Sequence, residues 1–194
     1  MRATNSMFGW KPRLLVVMLA TLTSYSAQAQ GVYKMGRPAT AADIASWNLD
    51  VAPDGKNLPA GSGSVKQGRE VYTAQCAACH GATGEGGAGD RLSGGIGTLA
   101  TPKPVRTVGS YWPYATTLFD YIRRAMPLHA PQSLTASDVY AVSGYVLFLN
   151  GVVQEDATMD ARTLSAVKMP NRDGFVSDPR PDVKSSACYR DCVK

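Results

Sequence analysis

Cys76-Ala77-Ala78-Cys79-His80 constrains this chain more than any other stretch of it. The C-x-x-C-H spacing carries two thiols on one helical turn, in reach of the two vinyl groups of a haem. The adjacent imidazole then reaches the iron as proximal ligand. A bare C-x-x-C also serves as a thioredoxin-type redox pair or as half a zinc site. Here His80 follows at once and no second C-x-x-C is present. The motif therefore predicts one covalent haem c, held by Cys76 and Cys79 and ligated by His80.

The compartment follows from the first residues. Arg2, Lys11 and Arg13 make a positive start, and Leu14 to Leu22 is a short apolar run. Ala27-Gln28-Ala29 supplies the small residues that a signal peptidase reads, so cleavage is expected near Ala29. The run is about half the roughly 20 apolar residues needed to cross a bilayer, so no membrane span is expected. A short bacterial-style leader points to the periplasm, where disulfides form and c-type cytochromes are assembled. Three of the 20 basic residues leave with the leader, so Lys and Arg exceed Asp and Glu by only two in the mature chain. That excess is too small to support nucleic-acid binding.

The other two cysteines, Cys188 and Cys192, lack a following His. They are expected to form a disulfide that staples the tail, worth about 2 kcal/mol by the chain-entropy model for so short a loop. A redox-active pair or a thiolate ligand to iron is the alternative.

With His80 assigned, the sixth iron ligand is sought among Met35, Met126, Met159, Met169 and His129. Met126-Pro127 ends a helical pattern over Tyr114–Ala125 in which Leu118, Tyr121, Ile122 and Ala125 mark one face. Pro127 excludes the helical conformation from the residue before it. A thioether just past a helix stop, downstream of C-x-x-C-H, is where a class I cytochrome c places its axial Met. Met169-Pro170 and His129 are the rivals. A His/Met pair raises the reduction potential and closes the iron to substrate, which favours electron transfer over catalysis at the haem. Arg106, Arg123 and Arg124 are candidates for docking charge or for a propionate, or belong to a solvated helix surface.

Along the chain, Thr40 with Asp43 caps a short helix ending near Trp47, and turn formers fill residues 53–63. Val65, Tyr72 and Cys76 share one face of a helix that runs into the haem motif. Eight glycines between Gly81 and Gly97 lack the Lys-Ser/Thr of a phosphate loop, and they suit backbone wrapped close to a porphyrin. Trp112-Pro113 precedes the 114–125 helix with proline in its first turn. Thr135 with Asp138 caps a further helix with Val139, Val142, Val146 and Leu149 as its stripe, stopped by Asn150-Gly151. The fold class is all-α: a class I mono-haem cytochrome c domain over 63–151, with wrapped extensions at 30–62 and 152–194 after a 1–29 signal peptide. Trp47 and the Met169–Phe175 stretch offer apolar anchors for a permanent partner. On that basis, removal of residues 152–194 is expected to abolish the complex and leave the haem spectrum unchanged.

Several longer runs carry a resemblance that covers nearly the whole mature chain. They include residues 36–40 (GRPAT), 47–55 (WNLDVAPDG), 107–115 (TVGSYWPYA), 124–127 (RAMP), 168–175 (KMPNRDGF) and 178–183 (DPRPDV). Together with Cys76–His80 they resemble the cytochrome c subunit of the Sox sulfur-oxidising system, the SoxD type. The resemblance implies a periplasmic subunit that takes electrons from a molybdenum-cofactor dehydrogenase oxidising carrier-bound sulfur and passes them to a downstream cytochrome. Enzymes of this group are S-disulfanyl-L-cysteine oxidoreductases, so the chain would be the electron-transfer subunit of one. It also implies Cys76 and Cys79 as thioether links, His80 as proximal ligand and Met126 as distal ligand. Better-known members carry two haem sites, whereas this chain has one C-x-x-C-H. Sulfite and thiosulfate dehydrogenase subunits are close relatives. The rival readings are a free periplasmic shuttle and a haem enzyme acting directly on thiosulfate.

Overall fold

The computed structural model describes residues 36–179; the leader, Met35 and the Cys188–Cys192 pair lie outside them. The chain divides into a unit Met1–Ile44 and a unit Ala45–Lys194. Helix α1 (Ala41–Trp47) opens as the sequence indicates. The Thr40 hydroxyl accepts from the Asp43 N–H at 3.2 Å and the Asp43 carboxylate accepts from the Thr40 N–H at 2.8 Å. Arg37 pairs with the same carboxylate and holds it well below the usual carboxylate range.

In the second unit, strand β1 (Ser62–Ser64) leads directly into helix α2 (Val65–Gln75). Ser64 and Gln67 form a reciprocal capping box at its start, and Val65, Gly68 and Tyr72 make its buried stripe. The helix breaks at Cys76, where φ −121° departs from helical geometry, and a single turn, α3 (Ala77–His80), carries the rest of the motif. Helix α4 (Val108–Tyr111) is capped by Thr107 and Ser110. Helix α5 (Ala115–Ala125) follows with Tyr114 as N-cap, so Pro113 stands just outside the helix and not in its first turn.

Helix α6 (Ala136–Leu149) begins at the Thr135–Asp138 box and stops at Asn150, with Gly151 in the left-handed region at φ 68°. Every residue from Val139 to Leu147 is buried, because the helix packs against α2, α5 and β1. Phe119 on α5 meets Tyr140 on α6 with ring centroids 4.5 Å apart, and Tyr72 on α2 meets Tyr145 at 5.2 Å. Tyr140 and Tyr145 are thus core residues.

The fold class is the expected all-α one with a two-stranded addition. Strand β2 (Thr158–Asp160) pairs antiparallel with β1, Gly63 opposite Met159, and helix α7 (Ala161–Ser165) follows, capped by Asp160. Met159, Leu164 and Met169 are buried in the same core as Val65, Phe119 and Leu147. Part of the 152–194 segment is therefore core, so its removal is expected to disturb the haem domain as well as any complex.

The segment 49–59 is tied to α5 and α6 by its backbone. The buried Asp120 carboxylate accepts from the Val51 N–H at 2.8 Å and from Arg124, one turn away on α5. Thr116 donates to the Pro53 carbonyl at 3.0 Å, and the Tyr140 hydroxyl donates to the Pro59 carbonyl at 2.8 Å. Arg123 reaches the Leu49 carbonyl at 3.4 Å. The arginine pair thus serves this segment. Among the described residues no helix is long and apolar enough to cross a membrane.

Candidate functional site

The functional side chains meet at one cavity of about 380 Å³. Cys76, Cys79 and His80 enter from the end of α2 and from α3. Leu118, Tyr121 and Ile122 enter from α5, Met126 and His129 from the turn after it, and Val142 and Val146 from α6. The wall is apolar, with Leu92, Trp112, Leu128 and Leu134 completing it and Arg91 and Arg106 as its cations. The sequence pattern on α5 is resolved by this arrangement. Ala115 and Phe119 turn into the protein core, whereas Leu118, Tyr121 and Ile122 face the cavity, and Tyr121 is half exposed.

His80 is oriented by its own loop. Its Nδ1 lies 2.7 Å from the Asp90 carbonyl oxygen. A carbonyl only accepts, so Nδ1 carries the proton and Nε2 keeps its lone pair for a metal. Gly89 makes this approach possible: a Cβ there would fall 2.9 Å from the His80 Cε1 and 3.0 Å from Nδ1. Its N–H also donates to the Cys79 carbonyl at 2.8 Å. The glycine is required by the motif's own imidazole.

The surroundings of Cys76 disfavour its thiolate. Burial, with Cys79 nearby as the lesser cause, pushes the Cys76 thiol up to about 11. Reactive C-x-x-C pairs have the opposite shift. Burial likewise pushes Tyr72 up to about 12, with Cys76 and Glu85 adding to it, and its hydroxyl donates to the Gly81 carbonyl at 2.8 Å. Glu85 closes the loop after His80: its own backbone N–H, then the Thr83 N–H at 2.7 Å and hydroxyl, and last the Ala82 N–H at 3.2 Å, donate to its carboxylate and keep it below the usual range.

Met126 is the residue that stops α5. Its backbone is extended at φ −121° and ψ 147°, as the following proline demands, while its N–H still donates to the Ile122 carbonyl. The thioether thus stands at the cavity. His129 lines the same cavity, exposed at its mouth, whereas Met159 and Met169 are core residues and line none of it.

Asn150 is a site residue that the sequence offers only as a helix stop. Its side-chain amide donates to the Leu92 carbonyl at 3.0 Å and to the Val146 carbonyl at 2.9 Å, and its oxygen accepts from the Gly94 N–H at 3.0 Å. It clips the glycine-rich loop to the end of α6. Arg91, whose Nε donates to the Glu85 carbonyl at 3.1 Å, was likewise not singled out by any motif.

Two thiols, an oriented imidazole, a thioether and an apolar wall are the donor set and surroundings of a haem c. The surroundings fit that group. They do not fit a zinc or cluster site, since no group of three or more His, Cys, Asp or Glu able to hold a metal ion occurs among the described residues.

Comparison with known proteins agrees. Residues 63–146 match the family model described as cytochrome C oxidase, cbb3-type, subunit III. A curated relative, the thiosulfate dehydrogenase of Stutzerimonas stutzeri (strain A1501), is 28% identical over 149 residues, 64% of this chain and 47% of that protein. The chain thus spans about half the length of the curated relative it matches. The crystal structure of the sulfane dehydrogenase SoxCD from Paracoccus pantotrophus superposes with a TM-score of 0.72 at 38% identity, covering 84% of this chain and 83% of that one. Likeness of that extent, joined to the cavity around Cys76–His80, makes this chain a member of the SoxD-type Sox cytochromes c, electron-transfer proteins with covalently bound haem c.

Proposed function

We propose that this cytochrome is the electron-accepting subunit of a molybdenum dehydrogenase acting on carrier-bound sulfur, and that it unloads to a downstream cytochrome. The observation that carries this is the reach of the similarity to SoxCD. It covers 84% of the chain, well beyond the 63–146 haem domain. The chain is then exported, with cleavage near Ala29, works in the periplasm, and closes Cys188 to Cys192.

In this reading Cys76 and Cys79 would hold the vinyl side chains, and His80, through Nε2, and Met126 would be the protein's ligands to the iron. When bound, haem supplies a one-electron ferric/ferrous couple at a potential raised by the thioether. The chain's own part is to hold these ligands, exclude water with Leu118, Ile122, Val142 and Val146, and present Arg91 and Arg106 to the acidic edge of the macrocycle. No acid–base pair is called on. Replacing Met126 by Ala is expected to lower the midpoint potential by on the order of 100 mV, within the roughly 0.8 V that axial ligands span. An unchanged potential would move the sixth ligand to His129.

Trp47, which is 87% exposed and unaccountable as a core residue, supports a partner surface on its side of the chain. Molybdenum per haem, measured on protein purified gently at low salt, tests the complex. A ratio near one with a co-eluting larger subunit is expected. A molybdenum-free monomer that also gives no cross-link to a larger subunit would leave a free shuttle. The thiosulfate dehydrogenase relative favours a second reading, direct turnover of thiosulfate at the haem. That reading needs an open sixth position, so a Met126 ligand detected in both redox states would exclude it.

A further inference from the structure

The segment after α7 returns to the cavity from outside. Met169 is buried in the core and anchors it. Two turns follow, with the Arg172 N–H donating to the Met169 carbonyl at 3.1 Å and the Gly174 N–H to the Asn171 carbonyl at 3.2 Å. The segment 169–175 then lies on the turn that joins α4 to α5. Asn171 donates to the Tyr111 carbonyl at 2.7 Å. The Arg172 guanidinium sits 4.3 Å above the centre of the Tyr114 ring, and Phe175 meets the Tyr111 ring edge-on at 5.3 Å.

That turn is also cavity wall. Trp112, between the two clasped tyrosines, lines the cavity and stands edge-on to Tyr121 at 5.8 Å. Arg106 lines it too, with its guanidinium 5.6 Å from the Tyr111 ring. Tyr111 thus adjoins Trp112 and carries Arg106, and Tyr114 closes the same short turn two residues after Trp112. A cation over an aromatic ring and an amide on a carbonyl fix the turn at two points, where surface packing alone would let it slide.

We propose that Asn171 and Arg172 are positioning residues for the haem site: the 169–175 strap clamps residues 111–114 and so sets Trp112 and Arg106 against the haem. The inference rests on the haem reading of that cavity. The strap acts through the wall and touches no ligand. Loosening it admits water, which favours the more highly charged ferric state and opens a path to the iron.

The test compares Arg172→Ala, Arg172→Lys and Asn171→Ala in the full-length holoprotein, with cyanide as the probe. The pyridine haemochrome of each variant first establishes one haem per chain with the thioether links intact. Absence of that haem in the parent protein overturns the underlying reading and not the strap. With haem present, Arg172→Ala is expected to shift the reduction equilibrium towards ferric by about threefold and to speed ferric cyanide binding by at least as much. Arg172→Lys, which keeps a cation over Tyr114, should recover most of both, and Asn171→Ala should move them in the same direction. A lower melting temperature with potential and cyanide rate unchanged would make the strap a brace only, and the proposal would fall. None of the three substitutions touches Met169, the strap's buried root, and a cooperative melt of each variant establishes that the comparison is made on folded protein.

Discussion

A chain ended at Gly151 is expected to lose cooperative unfolding altogether, with little helix left by circular dichroism and no native haem spectrum. Removing β2, α7 and the strap takes Met159, Leu164 and Met169 out of the core, where they are 4%, 0% and 3% exposed. Truncating one such side chain to Ala costs about 2–5 kcal/mol. Three together, even without strict additivity, approach the roughly 5–15 kcal/mol that holds a whole domain. The loss also strips β1 of its only partner strand among the described residues and leaves the Val65 N–H without the Ala157 carbonyl that accepts from it at 3.0 Å. A chain ended at Pro179 keeps all of these contacts and should melt cooperatively. If the shorter chain also melts cooperatively with full helix content, then the core closes without the residues after Gly151.

Gly68→Ala is the point substitution with the largest predicted effect on stability, a loss of about 3 kcal/mol in denaturant unfolding. Gly68 lies where α2 crosses α6. A Cβ there would stand 1.9 Å from the Ala141 carbonyl oxygen and 2.9 Å from the Tyr145 Cβ. The first obstacle is backbone of a helix that is itself buried on all sides, so α2 must lift and the Tyr72–Tyr145 contact must open. Alanine's helix propensity returns only about 1 kcal/mol. Gly144→Ala is the control, since the Cβ there would meet the Met159 Cγ at 2.9 Å, and a methionine side chain can give way. A small loss at Gly68, no greater than that at Gly144, would show that the crossing tolerates a methyl group.

The helices were legible because their ends are chemical. Thr40 with Asp43, Thr135 with Asp138, and Asn150-Gly151 act within four residues of chain, and each does in the structure what it does in isolation. The strands were not legible. Ser62–Ser64 and Thr158–Asp160 show no alternation and little β-branching, and they pair only because residues 96 apart meet beside α6. The α5 stripe was legible only in part: Leu118, Tyr121 and Ile122 do share the face that lines the cavity, but the helix has a second apolar neighbour, the core, which takes Ala115 and Phe119.

The site divides along the same line. Cys76, Cys79, His80 and Met126 announce themselves by spacing and by proline chemistry, and the cavity gathers all four. What holds them in place does not. Asn150 grips Leu92 and Gly94 across more than fifty residues, and Arg172 reaches Tyr114 across a similar span. A side chain whose partner lies that far along the chain leaves no local signature, however much depends on it.

The pairing of β1 with β2 also sets a clock. A polypeptide emerges N-terminus first, at about 5–20 residues per second. Met159 follows His80 by about 80 residues in the sequence, so the C-x-x-C-H motif appears before the strand and helix that close the core. During that interval α2 has neither α6 to lie on nor β2 beside its leading strand. Cys76, half-buried in the finished fold, is still open to large reagents. The order of residues along the chain thus leaves Cys76 open before the core closes beside it, whereas Cys79 stays exposed in the completed domain.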